Sequence, residues 1–140
     1  MYAHRKRFGP EKAAELCAWL KAVRLVADDG SPGVRGEVAR LASTLGASAS
    51  VLEEALAFEL QDLDVLDVLP IGSGRSAPRL LLSDAAWVAR GTDPARIGRR
   101  LADAARSLGV ERPVLSTIEA MIAHERALDA LREDLFWNLE

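Results

Sequence analysis

Cysteine is nearly absent from this 140-residue chain. Cys17 stands alone, so no internal disulfide can form. That fits a reducing compartment and leads to the expectation of a cytoplasmic protein. Histidine is scarce as well, with only His4 and His124. One cysteine and two histidines are too few for the usual structural zinc sets. His124-Glu125 does not extend into a zinc motif, because Leu128 stands where a second histidine is needed. Long hydrophobic runs are missing, and no stretch approaches the roughly 20 apolar residues that a membrane span needs. The basic start, Met1 to Arg7, leads into an amphipathic segment and not into the apolar stretch of a secretion signal. There is no Gly-x-Ser-x-Gly elbow. Gly72-Ser73-Gly74 is too short for a phosphate loop. Asp62, Asp64 and Asp67 lack the spacing of a calcium loop. No catalytic constellation, cofactor or metal is therefore expected, and the chain reads as a non-enzyme.

Apolar residues are plentiful at 49%, enough to build a core and to argue against disorder. The length suits one domain with a possible helical appendage. The net charge of −3 hides a segmented pattern. Residues 1–28 carry six basic and three acidic side chains, and residues 29–49 balance. Residues 50–69 carry six acids and no base, whereas residues 70–106 carry seven Arg against three Asp. Residues 107–140 return to excess acid, with seven acids against three Arg. Such blocks present faces of different charge to partners.

Pro10 suits the first position of a helix, and Leu16, Trp19, Leu20, Val23 and Val26 or Ala27 continue at helical spacing. Asp28 to Gly33 is a dense turn signal. A second helix is expected from about Gly36 to Leu45, with Val38, Leu41, Ala42 and Leu45 inward and Gly46 as its stop. Ser50 and Glu53 read as a capping box for a third helix reaching about Leu63, with Leu52, Leu56, Leu60 and Leu63 toward the core. Val65 to Leu69 reads as a strand, Pro70 to Pro78 as a basic loop, and Arg79 to Leu82 as a returning strand. Ser83-Asp84 would cap a short helix ending near Arg90-Gly91. Asp93-Pro94 would open another, ending at Leu108-Gly109, and Pro113 would open a last helix reaching toward Leu139.

This order resembles the winged helix-turn-helix superfamily. The likeness rests on Glu37 to Ser48, on the third helix and its exit through Leu60 to Leu66, and on a hairpin closing at Leu82-Ser83-Asp84. The expected fold is mainly α with a small β-hairpin (α+β). Residues 1–91 would form the winged-helix domain with a basic N-terminal arm, and residues 92–140 a C-terminal helical segment. The resemblance, to small regulators of the MarR-like and PadR-like kind, implies a DNA-binding transcriptional regulator. Arg5, Lys6 and Arg7 would form an arm, and Arg35 and Arg40 would meet phosphates. Ser48, Ser50 and Gln61 would approach bases, while Arg75 and Arg79 would flank the wing. Duplex DNA is then the expected partner, and no membrane is.

The third helix departs from the DNA-reading pattern, because its outer face is acidic. The alternative is a protein-docking winged helix, with Val51 and Phe58 as an apolar centre and Glu54 and Asp62 as its rim. Phe58 could equally pack under a neighbouring helix. In the last helix, Ile118, Met121, Leu128 and Leu135 recur at heptad-like spacing, interrupted by Glu125 and Arg132. A helix so long suggests a homodimer seam, or else a lid folded over Trp87 and Trp19. Arg96, Arg99 and Arg100 share one helical face.

Overall fold

The computed structural model describes residues 8–60, 65–68 and 76–136. Among them are seven α-helices and one short 3-10 turn, Pro10–Lys12, and no strand. The helices are α1 (Ala13–Ala27), α2 (Pro32–Leu45), α3 (Ala49–Ala57), α4 (Val65–Val68), α5 (Ser76–Val88), α6 (Pro94–Leu108) and α7 (Arg112–Phe136).

Among the described residues the expected hairpin is absent, which overturns both the α+β class and the winged-helix resemblance. Val65–Val68 forms a single helical turn. Arg79 to Leu82, expected as the returning strand, lies inside α5. The physical reason is compositional. Residues 76–87 contain no β-branched side chain, and Leu and Ala are strong helix formers. Ala77, Leu81, Ala85 and Val88 then fall on one helical face and are all buried. Pro78 sits in the first turn, where a missing N–H leaves no helix bond unmade. Asp84, expected as a cap, lies in mid-helix. It is fully buried and accepts the Trp19 indole N–H at 2.9 Å.

Other elements follow the sequence more closely. α1 buries Leu16, Trp19, Leu20, Val23, Val26 and Ala27. α2 begins at Pro32, earlier than expected, and buries Val38, Leu41, Ala42 and Leu45. Gly46 ends it at φ 89°, a left-handed conformation that glycine adopts without steric cost. α3 starts from Ser48, whose hydroxyl accepts the Val51 N–H at 3.3 Å, and not from Ser50. It stops at Ala57, short of the expected Leu63. Its buried residues are Val51 and Ala55, while Leu52 and Leu56 are half-buried and Leu60 is exposed. Asp93 caps α6 by accepting the Ala95 N–H, Pro94 occupies its first position, and Gly109 ends it at φ 70°.

α1 is the hub and packs against α2, α3, α4, α5 and α6. α7 lies on α5 and α6. Leu101, Ala104 and Ala105 from α6 and Leu115 and Ile118 from α7 join the same apolar cluster as Leu16, Leu41 and Leu82. No helix among the described residues is long and apolar enough to cross a membrane.

Candidate functional site

Two arginines hold helix ends inside this bundle. Arg24 lies on the inner face of α1, with its side chain only 5% exposed. Its Nε donates to Asp28 Oδ2 at 3.0 Å. Its Nη1 reaches the carbonyl oxygens of Ala55 (2.7 Å), Leu56 (3.1 Å) and Phe58 (2.8 Å). These belong to the end of α3, where carbonyls lack helical partners. Arg24 is therefore a C-terminal cap supplied from another helix, and its charge is matched by buried Asp28. Asp28 Oδ1 also accepts the Gly30 N–H at 2.8 Å. Arg100 does the same for α1, with Nη1 donating to Asp28 O (2.8 Å) and Nη2 to Leu25 O (3.0 Å). Arg96 and Arg99 remain exposed, so the structure divides the arginine face that spacing had grouped.

The residues expected to touch DNA do not converge. Arg35 donates to Leu56 O at 3.3 Å, Arg40 pairs with Glu37 at 2.6 Å, and Ser48 and Ser50 face each other at the start of α3. Arg79 is exposed on α5. Arg5, Lys6, Arg7, Gln61 and Arg75 lie outside the described residues, as does Asp62 from the alternative interface. The transcription-regulator reading depended on a wing at Val65 to Leu82. With helix at both its expected strands, that reading falls, and so does the winged-helix docking alternative. Val51 is buried in the core, Glu54 pairs with Lys21 at 3.4 Å, and the Lys21 ammonium sits 5.3 Å above the half-buried Phe58 ring.

Surfaces with some capacity to bind include two among the described residues. One surrounds Arg90 at the junction of α5 and α6. Its guanidinium grips Glu37 through two bonds, 2.9 and 3.1 Å, donates to Trp87 O, and stacks 4.0 Å from the Trp87 ring. On one side of it lies a cavity of about 380 Å³ lined by residues including Ser31, Val34 and Thr92. On the other lies an open groove of about 570 Å³ walled by Arg126, Asp129, Arg132 and Glu133 of α7. Mixed charge and open walls suit a hydrated ligand. Arg90 itself is taken up by Glu37 and Trp87. The Glu37–Arg90 pair spans 53 positions, and nothing local in the sequence announces it.

The second surface is α7. Leu115 and Ile118 are buried against the body, but every residue from 126 to 136 is exposed. Met121, Leu128, Leu131, Leu135 and Phe136 are exposed large apolar side chains. Of the four residues expected in a dimer seam, Ile118 belongs to the core, while Met121, Leu128 and Leu135 stand in solvent.

Among the described residues two ionisable groups are displaced from their ordinary behaviour. Burial pushes the Cys17 thiol up, only partly opposed by Lys21, and its Sγ lies 3.9 Å from Val51 O. Bonds from the Ser31 hydroxyl and then its N–H hold the Asp29 carboxyl below its usual value. Among the described residues no group of three or more His, Cys, Asp or Glu is placed to hold a metal ion.

No protein-family model and no curated protein matches the sequence. A solved structure does superpose on it: a tellurite resistance protein from Nostoc punctiforme, with TM-score 0.71 and 20% identity. The alignment covers 93% of this chain and 82% of that one. At that identity the likeness shows a shared helical fold, and it agrees with the absence of a winged-helix arrangement.

Proposed function

We propose that this chain serves in tolerance to tellurite or a related oxyanion stress, as a helical domain that acts without turning over a substrate. One observation carries the reading: almost the whole chain superposes on a tellurite resistance protein. A bundle can host unrelated functions, so the fold alone supplies a direction and the side chains must agree with it. They favour a non-enzymatic role. The buried ionisable groups are engaged in structure, with Arg24 and Asp28 at a helix end and Asp84 on the Trp19 indole. The one thiol is buried and its ionisation is suppressed, the reverse of an activated nucleophile. A lone buried thiol also fits the reducing cytoplasm.

Deleting the coding sequence in its own host should lower the tellurite concentration that stops growth by several-fold. The full chain, or its Cys17→Ala variant, should restore tolerance. Unchanged tolerance in the deletion strain overturns the stress reading. Steady consumption of tellurite by catalytic amounts of the purified chain overturns the non-enzymatic part.

A further inference from the structure

α7 is apolar on two opposite faces. At 100° per residue, Leu115, Ile122 and Arg126 lie on the side toward the body, where Ile122 and Arg126 line a small cavity against α5 and α6. Met121, Leu128, Leu131 and Leu135 lie on the far side, and all are exposed, Leu131 at 63% and Leu135 at 62%. Met121 to Leu135 spans roughly 21 Å at 1.5 Å per residue. The far stripe recurs every three and four residues, with His124 at the remaining position. It is a two-heptad seam aimed away from the protein's own core.

We propose that this face binds a second copy of the same chain, with the two α7 helices antiparallel and crossing between Leu128 and Leu131. The flanking charges select both occupant and direction. Glu125 and Arg132 border the stripe on the same side, one heptad apart. A two-fold axis between Leu128 and Leu131 brings each Glu125 opposite the partner's Arg132, forming two ion pairs of opposite sign. It also sets the helix dipoles against each other favourably. A parallel pairing in register offers Arg132 only the partner's Ala127 and Glu125 only the partner's Ala120, so neither charge is matched. Arg132 already holds Asp129 at 3.0 Å with both side chains at least half exposed, and the half-buried Glu125 is itself engaged within the chain, so the interchain pairs form by exchange. Every residue from 127 to 136 is exposed, so none of the described residues obstructs a second chain on this face. A seam this short gives a reversible, concentration-dependent dimer, not an obligate one.

Sedimentation equilibrium of the full chain, from low micromolar to submillimolar, tests this without reference to tellurite. The expected result is an average mass rising from monomer toward dimer. Leu128→Glu with Leu131→Glu should hold the chain monomeric throughout, with an unchanged thermal melt because neither residue is in the core. Glu125→Arg alone and Arg132→Glu alone should each weaken association several-fold, and the two together should restore it. A mass that stays monomeric to the highest concentration overturns the proposal and leaves the stripe to a different partner. Dimers that survive the double glutamate variant overturn the seam. Failure of the charge swap to restore association overturns the antiparallel arrangement.

Discussion

Arg24 shows how one side chain can decide whether two helices meet. It sits on the inner face of α1, where an apolar residue would be expected, and is itself 4% exposed. Removing it strips three carbonyls at the end of α3 of a donor and leaves the buried Asp28 carboxylate without its cation. Breaking a buried pair from one side typically costs about 3–5 kcal/mol. Arg24→Met should therefore lower the urea midpoint by a correspondingly large amount, and more than Arg40→Met, whose Arg side chain is 73% exposed. Similar losses for the two variants would mean that Arg24 contributes no more than a surface charge. The sequence carried a signal here: an Arg among Leu20, Val23 and Ala27, followed four residues later by an Asp.

Cys17 gives a second test at this scale. Burial raises its thiol above the ordinary value. In the unfolded chain the thiol ionises first as pH rises, so the protonated form favours the folded state. Stability from this group is complete below the ordinary thiol value and is lost as pH rises toward the folded one. At mildly alkaline pH a disulfide reagent should label native Cys17 slowly and urea-unfolded Cys17 rapidly. Equal rates would show the thiol to be open to solvent.

At the scale of elements, the structure followed the sequence wherever ends were marked by chemistry. α2 and α6 end on glycines with positive φ, and α6 opens with the Asp93-Pro94 pair that the sequence announced. What misled was the stretch from Val65 to Leu82. Val65 and Val68 favour strands, but four residues with no adjacent partner strand gain nothing from that preference. Leu80, Leu81 and Leu82 look the same as a buried strand or a buried helix, and only the continuation through Ala85, Trp87 and Val88 separates the two. In α3 the apolar residues form two adjoining stripes, and the choice of core face required knowing where Arg24 would reach. The Arg90 groove was not legible at all, because its parts come from α2, α5 and α7.

Glycine substitutions separate these effects with opposite signs. Gly109 holds φ 70°, and a β-carbon added there would meet nothing within 4 Å, so Gly109→Ala faces backbone strain alone. That strain should cost about 1–2 kcal/mol. Gly98 lies inside α6, also with open space around it. Gly98→Ala should stabilise by about 0.5–1 kcal/mol, through higher helix propensity and a less flexible unfolded chain. Paired urea melts test both, and a shift of the same sign in the two variants would refute the conformational reading.

For the whole molecule, the described residues past Arg126 contribute nothing to the core that unites the seven helices. The last buried residue is Ile118 and the last partly buried apolar one is Ile122. A helical extension whose hydrogen bonds are internal and whose apolar face is exposed is held by its own propensity and by whatever binds it. A chain ending at Glu125 should therefore keep its circular dichroism per helical residue, and its unfolding free energy from urea melts should change by no more than about 0.5 kcal/mol, the range of surface changes. Leu115→Ala in the full chain should cost about 2–5 kcal/mol, because Leu115 is 6% exposed and sits in the shared cluster. If instead the truncated chain unfolds while Leu115→Ala does not, the division of α7 into an anchoring half and a presenting half is wrong. If the division holds, α7 is retained beyond Glu125 for something other than stability, and its outward leucines are what that use must explain.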